Sequence, residues 1–230
     1  LDADQELTAA QREQLAALPG MDVDSMSRSE LLAGLLDRHG PGRVIFRNTR
    51  ASVKGFPRRV ARIEPLDPPA EDAGLRHDPR VLWLVDWLGE NPRDKALVIC
   101  RTQELAVELE AALRKHTSVR CGVFHEGLSL IQGDRNAAWF AEEDGARLLI
   151  CSEIGSEGRK FQFVQHLVLF DLPDDAELLE QRIGRLDRIG QKGTIHIHVP
   201  YLREGEGERL ARWYHEGLGA FEHNPRRPAR

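Results

Sequence analysis

Cysteine and long apolar runs are both scarce in this chain of 230 residues. The three cysteines, Cys100, Cys121 and Cys151, lie about 20 to 30 residues apart, which excludes a CxxC metal site and a disulfide-rich scaffold. Each lies in or beside an apolar, β-branched run, so we expect buried, reduced thiols of the kind found in cytoplasmic proteins. No apolar run approaches the roughly 18 residues of a membrane-spanning helix, so no membrane partner is expected.

The chain also lacks the phosphate-binding features of a complete nucleotide hydrolase. It contains no GxxxxGK[ST] segment, and the GQKGT of residues 190–194 has the wrong spacing for one. It contains no DEAH-like acidic box for Mg²⁺ either. The first residue is not Met, and no basic or apolar leader follows it. These features suggest a piece of a longer protein without a signal peptide.

Charge is distributed unevenly, although the net charge is only −5. Residues 1–40 carry three basic and eight acidic side chains, whereas residues 41–64 have a net charge of +6. Such a basic band suits a phosphate backbone or an acidic partner, and a solvated connector is the alternative interpretation. The basic residues of the band are Arg43, Arg47, Arg50, Lys54, Arg58, Arg59 and Arg62.

Short apolar strands alternate with amphipathic helices along most of the chain. Strands are predicted over residues 44–46, 96–100, 119–124, 147–151, 166–170 and 194–199. Helices are predicted over residues 27–37, 79–88, 102–116, 129–142, 176–189 and 203–221. The alternation predicts an α/β fold with a mostly parallel sheet of about six or seven strands and helices on both faces. We expect an acidic helical segment over 1–40, the sheet domain over 41–202 with its basic lead-in at 41–66, and a C-terminal helix and tail over 203–230.

Polar turns follow four of the predicted strands. Ligands of parallel sheets bind at the carboxyl ends of the strands, and four such turns on one edge predict a functional edge there. The turns are Arg101-Thr102, His125-Glu126-Gly127, residues 152–158 and Asp171-Leu172-Pro173.

The segment QRIGRLDRIGQ, residues 181–191, is the most distinctive motif. On a continuous helix, Gln181, Arg185 and Arg188 would lie on one face. Guanidinium groups bind phosphate oxygens in a bidentate fork, so this face suits a phosphate ligand. Arg182 and Asp187 would point elsewhere and could form a lateral ion pair. A solvated basic helix is the alternative.

This motif resembles the last conserved motif of superfamily-two helicases and translocases, and its RIGQ ending is typical of Swi/Snf-type ATPases. CSEIGSEGR at 151–159 and FDLP at 170–173 are similar to earlier motifs of the family, and residues 43–66 are similar to the basic segment that leads into its second lobe. The resemblance covers about residues 41–223. It implies the second RecA-like (P-loop NTPase-like) lobe of a two-lobe motor.

The resemblance also implies roles for individual residues. Arg185 and Arg188 would be arginine fingers that contact ATP phosphates, and Gln181 would hold the nucleotide or couple the lobes. The residues near the ATP sugar would be Glu157, Gly158 and Lys160, where Lys160 replaces the usual Asn or Asp. The nucleic-acid track would be lined by Arg101, Thr102, His125, Ser152 and Glu153.

The function implied is that of an ATP-dependent translocase on double-stranded DNA or DNA/RNA. Similarity to bacterial members further implies association with RNA polymerase, a role in its recycling, and a cytoplasmic, nucleoid-associated location. Mg²⁺ would be held by the first lobe, so this chain alone is expected to be inactive. A non-catalytic docking module for RNA polymerase or nucleic acid is the alternative. His196 and His198 alternate on one strand and are interpreted as structural rather than metal-binding.

Overall fold

The computed structural model describes residues 56–69, 74–155, 161–191 and 193–222, all of which belong to one compact unit. The strands are β1 Arg59–Leu66, β2 Ala96–Cys100, β3 Cys121–Phe124, β4 Leu148–Ser152, β5 His166–Leu169 and β6 Ile195–Leu202. The helices are α1 Pro79–Glu90, α2 Gln103–His116, α3 Leu130–Ala141, α4 Ala176–Ile183 and α5 Glu206–Arg212. A short 3₁₀ helix spans Leu75–His77, and a π-helical turn, Trp213–Gly217, continues α5.

The six strands form one parallel sheet in the order β1-β6-β5-β2-β4-β3. Strands β2 (ALVIC) and β4 (LLICS) are buried along their whole length. Continuous apolar runs of this kind fit strands that are covered on both faces of a sheet. The predicted α/β fold with a parallel sheet is confirmed.

Helices cover both faces of the sheet and form two apolar cores. On one face, α1 and α2 pack through residues such as Leu84 and Leu109. On the other face, α3, α4 and the C-terminal helical segment pack through residues such as Phe140, Leu179 and Tyr214. The two cores leave the ends of the strands, rather than their faces, available for binding.

Side-chain caps fix where several helices begin. The Thr102 hydroxyl accepts the N–H of Leu105 at 3.2 Å and caps α2. Ser129 and Gln132 form a reciprocal capping box at the start of α3. Both helices therefore begin within one residue of their predicted starts.

Three elements differ from the sequence-based expectation. Strand β1 was expected to be part of the basic lead-in, but it pairs with β6 over eight residues at the sheet edge. Helix α4 ends at Ile183 instead of 189, and the last helix is a short α-helix followed by a π turn instead of one helix over 203–221. The elements predicted at 27–37 and 44–46 lie outside the described residues.

In the described ranges, none of the helices is both long and apolar enough to span a bilayer.

Candidate functional site

The turns after β2 and β5 are tied together at the carboxyl edge of the sheet. The backbone N–H of Arg101 donates to the Asp171 carboxylate at 2.7 Å. The Arg101 guanidinium donates to the carbonyl oxygen of Leu172 at 2.9 Å and lies 3.6 Å from the Asp174 carboxylate. Its side chain is still 48% exposed. Arg101 therefore presents a partly neutralised positive charge at this edge.

A fully buried arginine on α4 joins this pair to the turn after β4. Nε of Arg182 donates to the Glu153 carboxylate at 2.7 Å. Its Nη1 donates to the carbonyl oxygen of Asp171 at 2.7 Å and to the carboxylate of the same residue at 3.1 Å. A buried charge is tolerated only when it is paired and hydrogen-bonded, and two carboxylates satisfy that condition here. Arg182 therefore holds the turns after β4 and β5 against α4.

The turns after β3 and β4 also lie in contact. The Ser152 hydroxyl donates to the Glu126 carboxylate and accepts the N–H of Gly155 at 3.0 Å. A Cβ atom on Gly155 would lie 2.6 Å from the Cα of His125, so only glycine fits this approach. His125 Nδ1 in turn accepts the N–H of Gly127 at 3.2 Å.

A groove of about 410 Å³ opens at the same edge, near the ends of β2, β5 and β6. Its walls include Arg80, Arg101, Thr102 and Tyr201. The Arg80 guanidinium stacks over the ring of Phe170 at 4.5 Å. The structure thus brings the predicted track residues Arg101, Thr102, His125, Ser152 and Glu153 to one edge, but it gives several of them local hydrogen-bond partners.

Residues 184–191, here called the arginine segment, follow α4 rather than continuing it. The prediction that Gln181, Arg185 and Arg188 share one helix face is therefore wrong, because α4 ends at Ile183 and the chain turns from Gly184 onward. Gln181 is exposed, whereas Arg185 is only 7% exposed. Arg188 is half-buried, and its Nε donates to the carbonyl oxygen of Gly184 at 3.0 Å.

Arg59 of β1 binds the arginine segment. Its Nε donates to the Asp187 carboxylate at 2.7 Å, and its Nη1 donates to Glu180 at 2.6 Å. The side chains of Arg59 and Asp187 are 3% and 2% exposed. Burial by itself lowers the pKa of Arg59, but the hydrogen bonds and charges of Glu180 and Asp187 outweigh it and raise that pKa.

This geometry corrects two expectations. The predicted lateral pair between Arg182 and Asp187 is wrong, because Arg182 pairs with Glu153 and Asp171 while Asp187 pairs with Arg59. Arg59 is likewise not a surface member of the basic band. Sequence reasoning missed its role because its two partners lie more than 100 positions away.

A histidine cluster lies at the opposite end of the sheet, where β5 begins. Nδ1 of His166 and Nε2 of His198 share a hydrogen bond of 3.1 Å, and Trp87 packs with its ring centroid 5.1 and 5.4 Å from theirs. His196 stacks on His166 with ring centroids 5.0 Å apart. Burial is the main cause that lowers the pKa of His198, to about 3.

Glu157, Gly158 and Lys160 lie outside the described residues. Within the described part of the chain, no group of three His, Cys, Asp or Glu side chains is placed to hold a metal ion.

The three cysteines are buried to different degrees. Cys100 and Cys151 are buried and Cys121 is half-buried, and burial raises the pKa of the Cys121 thiol to about 12. Such a thiol stays protonated and is a poor nucleophile.

Two family models match the chain. One, described as the helicase conserved C-terminal domain, matches residues 80–190. The other, described as the RNA polymerase recycling family C-terminal region, matches residues 194–228. Their boundary falls just before β6.

Curated relatives and solved structures are also similar. RNA polymerase-associated protein RapA of Pseudomonas putida (strain F1) is 51% identical over 228 residues, which cover 87% of this chain and 24% of the relative. RapA of Pseudomonas aeruginosa (strain LESB58) is 50% identical over 91% of this chain and 25% of the relative. The chain thus spans about a quarter of the length of these relatives. The C-terminal domain of the DEAD-box protein Dbp5 shares the fold with a TM-score of 0.52 at 19% identity, over 71% of this chain and 86% of that chain.

Proposed function

The chain belongs to the RapA family of helicase-type proteins, and we propose that it forms the second RecA-like lobe of an ATP-dependent translocase on double-stranded nucleic acid. The first lobe of the same parent chain would supply the phosphate loop and the Mg²⁺ site that this sequence lacks. In the proposed division, residues 1–40 form an acidic helical segment, residues 41–202 form the lobe, and residues 203–230 form a C-terminal helix and tail.

The observation that carries the proposal is the Arg182 network. It joins the turns that bear Arg101 and Glu153 to α4, which leads directly into the arginine segment. A nucleic-acid motor must couple its phosphate-binding track to its nucleotide-binding segment, so that binding at one changes affinity at the other, and α4 would provide that connection here.

The arginine segment suits the phosphates of ATP as substrate. Arg188 is half-buried after the end of α4, and its guanidinium would add positive charge where negative charge develops during phosphoryl transfer. Gln181 is exposed seven residues earlier in the chain and stays the proposed contact to the nucleotide or to the other lobe. Glu157, Gly158 and Lys160 stay predicted contacts of the ATP sugar.

RNA polymerase is the proposed protein partner. The curated relatives are named for their association with it, and residues 194–228 match the C-terminal region of the recycling family. The proposal places the protein in the bacterial cytoplasm with the transcription machinery, where it promotes polymerase recycling.

Arg188 gives the direct test in the full-length protein. We expect Arg188→Ala to lower the kcat of DNA-stimulated ATP hydrolysis by about 10³-fold or more, because a finger arginine stabilises transition-state charge. Arg188→Lys should lose most of that rate as well, since an ammonium keeps the charge without the bidentate fork. The measurement is steady-state hydrolysis with and without double-stranded DNA.

Arg93→Ala is the matched control, because Arg93 is an exposed arginine in the turn before β2 and is not part of the arginine segment. It should hydrolyse ATP at the parent rate. Normal turnover by folded Arg188→Ala protein would remove the finger role and with it the motor proposal.

A non-catalytic docking module is the second candidate, and the burial of Arg185 favours it. An arginine only 7% exposed, two residues after the end of α4, must move before it can contact a nucleotide. If the chain is a docking module, the full-length Arg185→Ala and Arg188→Ala variants should bind RNA polymerase with the affinity of the parent. Its function would then not depend on ATP hydrolysis.

A further inference from the structure

The arginine segment needs an anchor because α4 ends before it. The last backbone N–H that bonds back into α4 is that of Asp187, which donates to the carbonyl oxygen of Ile183 at 3.0 Å. The N–H of Arg185 still bonds back to the carbonyl oxygen of Arg182 at 3.2 Å, whereas the position of Arg188, beyond Asp187, depends on other contacts. Between these two arginines lie Leu186, fully buried in the core, and Asp187, whose carboxylate is bound by Arg59.

We propose that Arg59 is a positioning residue that holds Arg185 and Arg188 in place through Asp187. The inference deepens the proposed function and rests on it, since positioning matters only if these arginines act on phosphate. Asp187 lies two residues after Arg185 and directly before Arg188, so a shift of its carboxylate moves the backbone of both.

The Arg59 guanidinium is suited to this task by its shape. One planar group contacts Asp187 through Nε and Nη2 and contacts both carboxylate oxygens of Glu180, at 2.6 and 3.0 Å. The planar guanidinium therefore joins Asp187 of the arginine segment to Glu180 of α4 and fixes the distance between them. A lysine has one charged atom and cannot make this fork.

Strand β1 makes the anchor rigid. Its eight residues pair in register with β6, starting with Arg59 opposite Ile195. The Cα of Arg59 is thus set by the sheet, while its guanidinium crosses to the segment that the proposed function assigns to phosphate binding.

Arg59→Lys in the full-length protein tests this inference. We expect kcat for ATP hydrolysis to fall by about 10²-fold, the typical effect of a displacement near 1 Å, while KM for ATP changes far less. Arg135→Lys is the matched control, because Arg135 is exposed on α3, and its kcat should equal that of the parent. Assays are run well below the melting temperature of each variant.

A double-mutant cycle separates positioning from a general structural role. If Arg59 acts through the arginine segment, adding Arg59→Lys to Arg188→Ala should lower kcat by much less than it does in the parent. Equal losses in both backgrounds would mean that Arg59 acts elsewhere. Should Arg59→Lys protein not fold, Asp187→Asn supplies the same readouts, because it weakens the anchor and leaves the Arg59–Glu180 pair.

The outcomes distinguish this inference from the function on which it rests. Parent-like hydrolysis by Arg188→Ala would overturn the proposed function. Loss of hydrolysis in Arg188→Ala, with parent kcat in folded Arg59→Lys and Asp187→Asn, would overturn only the positioning role. A tenfold or greater loss of kcat in Arg59→Lys, non-additive with Arg188→Ala, would establish it.

Discussion

At the scale of single residues, buried arginines determine the shape of the candidate site. Arg182 is fully buried with Glu153 and Asp171, and Arg59 is buried with Asp187 and Glu180. A pair of this kind adds little net stability, but removal of one partner leaves an uncompensated charge in a low-dielectric interior. These arginines are therefore expected to be intolerant of substitution even where they touch no ligand.

Arg182→Met should lower the free energy of unfolding by about 3–5 kcal/mol, because it strands the carboxylates of Glu153 and Asp171. The measurement is urea unfolding followed by circular dichroism. Arg209→Met on the exposed face of α5 is the control and should change that free energy by no more than about 0.5 kcal/mol. Equal changes in the free energy of unfolding for the two variants would show that the Arg182 ion pairs are not needed for stability.

The sequence identifies these residues but not their partners. It places Arg182, Arg185 and Arg188 in one motif. Arg182 does reach the turns at the predicted carboxyl edge, whereas the chain after it runs back toward the start of β5, where the N–H of Phe161 donates to the carbonyl oxygen of Arg185. The sequence cannot show that Arg185 is buried or that Asp187 pairs with Arg59, because the pairing joins positions 128 residues apart. Long-range ion pairs follow from the tertiary fold and leave no local spacing in the chain.

At the scale of elements, continuous apolar runs in the sequence predicted the buried strands most reliably. Strand β2 was predicted to the residue, because ALVIC is buried on both faces. Strand β1 was missed, since RVARIEPL mixes charge and proline as edge strands do, and Arg59 is buried only through its carboxylate partners. The helix predicted beyond Ile183 was too long because the apolar and basic spacing continues past the point where Gly184 ends α4.

The histidines of β5 and β6 make stability depend on pH. Burial lowers the pKa of His198 to about 3, and the same cause lowers the pKa of His166 and His196. Arg62, opposite His198 in the sheet register, also disfavours protonation, whereas Asp94, 3.9 Å from His166, favours it. The unfolded chain takes up these protons below about pH 6.5.

The unfolded state therefore binds more protons than the native state between about pH 6.5 and pH 3, so stability is present above this window and is lost as the pH falls through it. We expect the free energy of unfolding to drop by about 1.4 kcal/mol per pH unit for His198 alone in that window. His198→Phe, which keeps a ring against Trp87, should flatten the urea-midpoint profile, while exposed His77→Gln should not. An unchanged slope in His198→Phe would contradict this account.

At the scale of the whole molecule, the chain is what we propose to be one lobe of a two-lobe motor. Its candidate fingers contribute charge but need another surface to hold the nucleotide. We expect the isolated chain to hydrolyse ATP no faster than buffer, with or without double-stranded DNA, in an assay where the full-length protein turns over. Turnover by the isolated chain that is abolished by Arg188→Ala would contradict the two-lobe assignment.

The position of β1 beside β6 has a consequence for synthesis on the ribosome. β1 leaves the ribosome well before its only strand neighbour in the described sheet, and 128 positions separate Arg59 from Asp187. At a synthesis rate of about 5–20 residues per second, roughly 6–26 s pass between the synthesis of Arg59 and that of Asp187. During this time β1 has no neighbouring strand and the Arg59 charge has no carboxylate partner in the arginine segment. The sheet can close only after almost all of the described chain has emerged, so a nascent chain stopped before β6 exposes an unpaired strand, the usual starting point for aggregation.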